Sequence, residues 1–215
     1  MVLSDELEQA LQCGSDAHFA QITEYLNAGG DVNDVNEHGT SMLTLNLIFE
    51  GGDHLDVDML DEDDRLRIVR LLLARGADVH HISDYHGSSP LYQACKCEDR
   101  AFGLGAIRCL LEAGANIDEK IRKGQFIESP LSNSLDWLRY DSVGWDQIGL
   151  AYVSLLLRYG PDFDGCWGDR SIEDCLRHIE EPGAFPELGG AYYRTVPPVE
   201  TKEQFLACKK LITDE

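Results

Sequence analysis

The stretch RLLLARGADVH at residues 70–80 decides how the chain is read. Leu71, Leu72 and Leu73 make an apolar helical stripe that stops at Gly76. A glycine just past a helix takes the left-handed conformation cheaply and closes it. Three other stretches repeat the arrangement: EYLNAGGDVN (24–33), RCLLEAGANID (108–118) and SLLLRYGPDFD (154–164), with stops at Gly29, Gly114 and Gly160. After each glycine comes a small residue or proline, a polar residue and an apolar one, which reads as an extended exit.

A second set lies between these: HGTSMLTLNLIF (38–49), HGSSPLYQACKC (86–97) and IESPLSNSLDWL (127–138). Gly39 and Gly87 suit tight turns. The Ser and Thr residues that follow are helix N-cap types. Pro90 and Pro130 stand where a first helical turn tolerates proline. Each unit therefore reads turn, helix, loop, helix, glycine.

This unit resembles the ankyrin repeat. The residues that carry the resemblance are Ser41-Met42-Leu43-Thr44, Ser89-Pro90-Leu91-Tyr92 and Ser129-Pro130-Leu131-Ser132 for the inner helix. For the outer helix they are Leu71-Leu72-Leu73 through Gly76-Ala77-Asp78 and Leu110-Leu111 through Gly114-Ala115-Asn116. The motif histidine is replaced by Thr44, Tyr92 or Ser132. The glycine stops are 47, 38 and 46 residues apart, against a family repeat of about 33. The excess falls mainly between inner and outer helices, roughly 14, 4 and 10 residues over the family length.

The implied fold is all-α: a single domain over residues 1–215, an ankyrin-repeat α-solenoid of four to five helix-turn-helix repeats joined by hairpin-like turns. The expected repeats span about 4–33, 34–80, 81–118, 119–164 and 165–215. Ser4 or Asp5 should cap the first helix, and 170–180 and 200–213 should form the last pair. The turn EKIRKGQFIE (119–128) is enlarged.

The formal charge is −21. Such a surface repels nucleic acid and anionic membranes and attracts basic partners. No apolar run approaches a membrane span. The acidic start, MVLSDELEQAL, is unlike a secretory signal. The seven scattered cysteines then read as reduced thiols of a cytoplasmic protein.

Motifs for chemistry are weak. The stretch EGGDHLDVDMLDEDD (50–64) fails the EF-hand pattern, because Leu60 and Asp61 stand where a ligand and a glycine are needed. It reads as an exposed insertion whose last acids, Asp61 to Asp64, start a helix with Arg65, Arg67 and Arg70 as nearby counter-charges. His80, His81 and His86 lie near Cys95 and Cys97, but without zinc-ligand spacing. Gly103-Leu104-Gly105 lacks the third glycine and the strand of a dinucleotide site. No phosphate loop or nucleophile elbow occurs. The expectation is a non-enzyme without cofactor or metal.

The resemblance implies partner contact through hairpin tips and inner helices. The positions are Glu37, His38, Ile48 and Phe49; Tyr85, His86, Lys96 and Cys97; and Arg122, Lys123, Phe126, Asp136 and Trp137. Phe49 and Trp137 fit a core role equally well. The inserted loops 50–64, 139–146 and 181–199 offer a second surface, with Asp56, Asp58, Tyr192, Tyr193 and Arg194. The expected function is a protein-interaction module, in its sharpest form an inhibitor or immunity-type protein that neutralises a basic protein such as a toxin or nuclease. The alternatives are an adaptor joining two partners and, less favoured, an enzyme or metal protein.

Overall fold

The structure is a computed structural model, and it describes residues 2–13, 15–48, 62–84, 87–123, 126–136 and 145–161. The chain is mostly helical and divides into two compact units, Met1–Asn116 and Ile117–Glu215.

The first unit contains α1 (Asp5–Cys13), α2 (Asp16–Asn27), α3 (Met42–Leu47), α4 (Glu62–Ala74), α5 (Pro90–Ala94) and α6 (Arg100–Glu112). Local chemistry sets their starts. Ser4 Oγ accepts from Leu7 N at 3.4 Å at the head of α1. Ser41 and Ser89 accept from Thr44 N at 3.3 Å and Tyr92 N at 3.1 Å. Asp99 accepts from Ala101 N and Phe102 N, both at 3.1 Å, and opens α6. Each such cap satisfies an amide that the helix itself leaves unpaired. Gly76 (φ 87°) and Gly114 (φ 92°) close α4 and α6 in the left-handed region, where a side chain would be strained.

The helices form two files. α1, α3 and α5 pack in sequence, as do α2, α4 and α6, and each pair also packs across: α1 on α2, α3 on α4, α5 on α6. Between the files lie Ile22, Met42, Leu43, Ile68, Val69, Leu72, Leu91, Phe102, Ile107 and Leu110, all buried. Helices as short as α3 and α5 are unstable alone and depend on this packing. Gly105 lets α6 approach α4: a Cβ there would stand 2.5 Å from Leu66 Cδ1.

The outer helices are also tied by polar staples. Arg67 Nη1 donates to Asp16 Oδ1 (2.8 Å) and Asp64 Oδ1 (2.6 Å), and its guanidinium lies 4.4 Å over the Phe19 ring. Arg75 Nη2 donates to Asn27 Oδ1 at 2.9 Å. Asn33 accepts from Asp78 N at 2.8 Å and donates to Gly76 O at 3.4 Å.

Arg65, expected as a counter-charge to the acids before it, is instead buried. Only 1% of it is exposed. Nη2 donates to the Asn46 carbonyl at 2.9 Å, and the guanidinium sits 3.8 Å over the Phe102 ring. Burial pulls its pKa down, while the neighbouring Cys97 and Asp99 pull it back up. An arginine stays charged under such opposition. Asn46 itself donates to the Leu11 carbonyl at 2.7 Å. Arg65 therefore ties the end of α3 to the start of α4 and to α6.

In the second unit, β1 (Ile121–Lys123) and β2 (Phe126–Glu128) pair antiparallel, Ile121 opposite Glu128 and Lys123 opposite Phe126. This is the enlarged turn read from the sequence, in strand form. α7 (Pro130–Asp136) follows and packs on α8 (Trp145–Leu157). α8 begins at Trp145, inside the expected insertion 139–146. Its buried stripe is Tyr152, Val153, Leu155 and Leu156. No described helix is long and apolar enough to cross a membrane.

Candidate interaction surface

The two hairpin turns of the first unit are built from local hydrogen bonds. Asn36 Oδ1 accepts from His38 N (3.0 Å) and Thr40 N (2.9 Å), and Asn36 N donates to Thr40 O (3.0 Å). The Asn36 amide nitrogen donates to Glu8 Oε2 at 2.9 Å, which fixes the turn to α1. In the second hairpin Ser83 N donates to Ser88 O and Gly87 N to Ser83 O. Gln93 Nε2 reaches Ser88 Oγ at 2.8 Å and fixes that turn to α5.

The hairpins are bonded to each other. Thr40 Oγ1 and Ser83 Oγ lie 2.8 Å apart, both buried, and His81 Nε2 meets Gly39 O at 2.9 Å. A Cβ on Gly39 would run into the Asp84 carboxylate, so the second tip lies directly on the first. The ridge exposes Glu37, His38, Ile82 and Asp84. Glu37 Oε1 and His38 Nε2 are 3.5 Å apart.

Of the positions implied by the resemblance, Glu37, His38, Lys96 and Arg122 are exposed. Ile48 is half-buried. Cys97 is buried beside Arg65, and burial pushes its thiol up to about 11 against the pull of that cation. Lys123 and Phe126 are paired across β1 and β2, and Asp136 ends α7; their side chains lie outside what is described. Phe49, Tyr85, His86, Trp137, Asp56, Asp58, Tyr192, Tyr193 and Arg194 lie outside the described residues, as do the expected helices at 170–180 and 200–213 and most of the acidic insertion. The structure thus brings Glu37 and His38 together with His81, Ile82 and Asp84.

One feature of this surface differs from the sequence reading. Every residue of α3 and α5 is buried, so these two helices offer no side chains for contact, which falls instead to the turns and to Lys96 just past α5. Charge is also sharply uneven. Residues 1–64 hold 16 of the 39 acids and none of the 18 Lys and Arg. The net negative charge is therefore concentrated at the start of the chain. Ile82 was detectable from the alternation His81-Ile82-Ser83, since a strand-like exit points successive side chains to opposite sides.

Among the described residues no group of three or more His, Cys, Asp or Glu could hold a metal. Cys95 and Cys97 are buried free thiols, and His80 is exposed. No protein-family model matches the chain, and no curated protein matches it in sequence.

Proposed function

We propose that the chain is an ankyrin-repeat protein that docks another, basic protein along its hairpin turns and works as an inhibitor of that partner. The observation that carries this reading is the bonded ridge of the first unit, with exposed Glu37 and Asp84 and no Lys or Arg anywhere in residues 1–64. Turns locked to each other and to the helices beneath lose little entropy when a partner binds, which favours affinity. A field of one sign steers an oppositely charged partner and speeds its approach. The repeated turn, helix, loop, helix and glycine stop supports the family reading.

The experiment is affinity capture with the full chain, identification of the partner, and calorimetry at low and high salt. An inhibitor of a basic protein binds one cationic partner, suppresses its activity, and loses affinity steeply with salt. An acidic partner, or salt-independent binding, sinks the basic-target reading. Two partners bound together, neither inhibited, would instead make the chain an adaptor.

A further inference from the structure

Ile82 is one of three large apolar side chains that stand exposed among the described residues, at 46%. Its position is not loose. The residue before it, His81, is bonded to Gly39 O, and the residue after it, Ser83, is bonded to Thr40. Both neighbours point into the first hairpin, so the alternating backbone turns Ile82 outward. The fold of the ridge uses the polar groups of His81 and Ser83 and leaves Ile82 about half exposed. The same ridge exposes Glu37 and Asp84, the Asp84 carboxylate lying against Gly39 of the first hairpin. No Lys or Arg occurs between Gly76 and Cys95, nor before Arg65.

An exposed apolar side chain between two bonded residues, on a ridge that also exposes two carboxylates, fits a segment that offers an apolar group flanked by cations. We propose that Ile82 is the anchor of a docking point for such a segment: a Lys- or Arg-bearing stretch of the partner, with one aliphatic or aromatic side chain seated on Ile82 and cations facing Glu37 and Asp84. This rests on the reading of the chain as a docking module, and adds where the partner sits and what chemistry it brings. The apolar contact supplies specificity, while the carboxylates supply attraction and orientation.

The test uses the isotope-labelled full chain and two synthetic capped peptides, Arg-Arg-Leu-Arg-Arg and Arg-Arg-Gly-Arg-Arg. Amide shifts are followed through a titration of each. The proposal expects shifts centred on residues 36–39 and 80–84. The leucine peptide should bind about tenfold tighter than the glycine peptide. Ile82→Ser, an exposed substitution that leaves the fold intact, should erase that difference and leave the glycine peptide unchanged. Glu37→Gln with Asp84→Asn should weaken both peptides. Equal affinity for the two peptides, an unaffected Ile82→Ser variant, or shifts confined to the outer helices overturns the proposal. A captured natural partner that ignores Ile82→Ser overturns it too, while leaving the docking-module reading intact. A chain that captures no protein yet shows the expected peptide pattern overturns only that broader reading.

Discussion

Arg65 supports the sharpest stability prediction. Its guanidinium is 1% exposed, donates to the Asn46 carbonyl at 2.9 Å and stacks 3.8 Å from the Phe102 ring. Arg65→Ala removes a charge-assisted hydrogen bond, about 1.5–3 kcal/mol, and a desolvated cation–π contact, about 2 kcal/mol. It also leaves a cavity and an unpaired Asn46 carbonyl. Relief of the buried charge offsets part of this, so the net loss should resemble that of other broken buried ion contacts, about 3–4 kcal/mol. Arg65→Met keeps the volume and removes the charge, and should cost about 1–2 kcal/mol, the carbonyl's lost partner less the relieved desolvation. Arg65→Lys keeps the charge but loses the planar stack and should cost about 2 kcal/mol. Amide exchange in α4 and α6, with urea unfolding followed by circular dichroism, measures all three. A silent Arg65→Lys, or an Arg65→Ala that loses less than about 1 kcal/mol, would mean the guanidinium sits in solvent and the cluster does not hold α3, α4 and α6 together.

Three further outcomes follow from the geometry. Gly105→Ala forces Leu66 aside, because the new Cβ meets Leu66 Cδ1 at 2.5 Å; overpacking of about 1–3 kcal/mol outweighs the gain in helix propensity of about 1 kcal/mol, and a thermal-shift assay should show a net loss that Leu66→Ala abolishes. Thiol labelling of the native chain, read by mass spectrometry, should reach half-buried Cys13 and Cys109 before buried Cys95 and Cys97, and Cys97, its thiol pushed up to about 11, should stay protected at pH 8; rapid Cys97 labelling would contradict its place beside Arg65. The Tyr25 hydroxyl donates to Asp34 and is pushed up to about 12, first by burial and then by that bond. An unfolded tyrosine ionises near pH 10, so the folded state favours the neutral form: this contribution is intact below about pH 10 and lost as pH climbs towards 12. Tyr25→Phe should therefore flatten the alkaline fall in stability over that window.

Parts of this molecule were legible because they answer local demands. A helix end needs a residue that tolerates positive φ, hence Gly29, Gly76, Gly114 and Gly160. A helix start needs a short acceptor, hence Ser41, Ser89 and Ser129. Arg65 was misread although the periodicity held the signal. It stands three and four residues before Ile68 and Val69 and seven before Leu72, on the face they bury. Its charge argued for solvent, and only the nearby Asn46 carbonyl and Phe102 ring show why that charge is tolerated inside. The site was legible at Glu37 and His38 as turn residues, whereas the burial of every residue in α3 and α5 was not, because burial on all sides depends on neighbours distant in sequence.

By itself, then, the sequence determined the glycine stops and the serine starts of α3, α5 and α7, which are set by backbone conformation within a few residues. It also determined the charge asymmetry, which is a matter of counting. The tertiary structure decided which polar groups go inside and which turns meet. Thr40 and Ser83, 43 residues apart, become partners only when two helix pairs stack. That bond, with His81 on Gly39, turns Ile82 outward into a ridge of carboxylates.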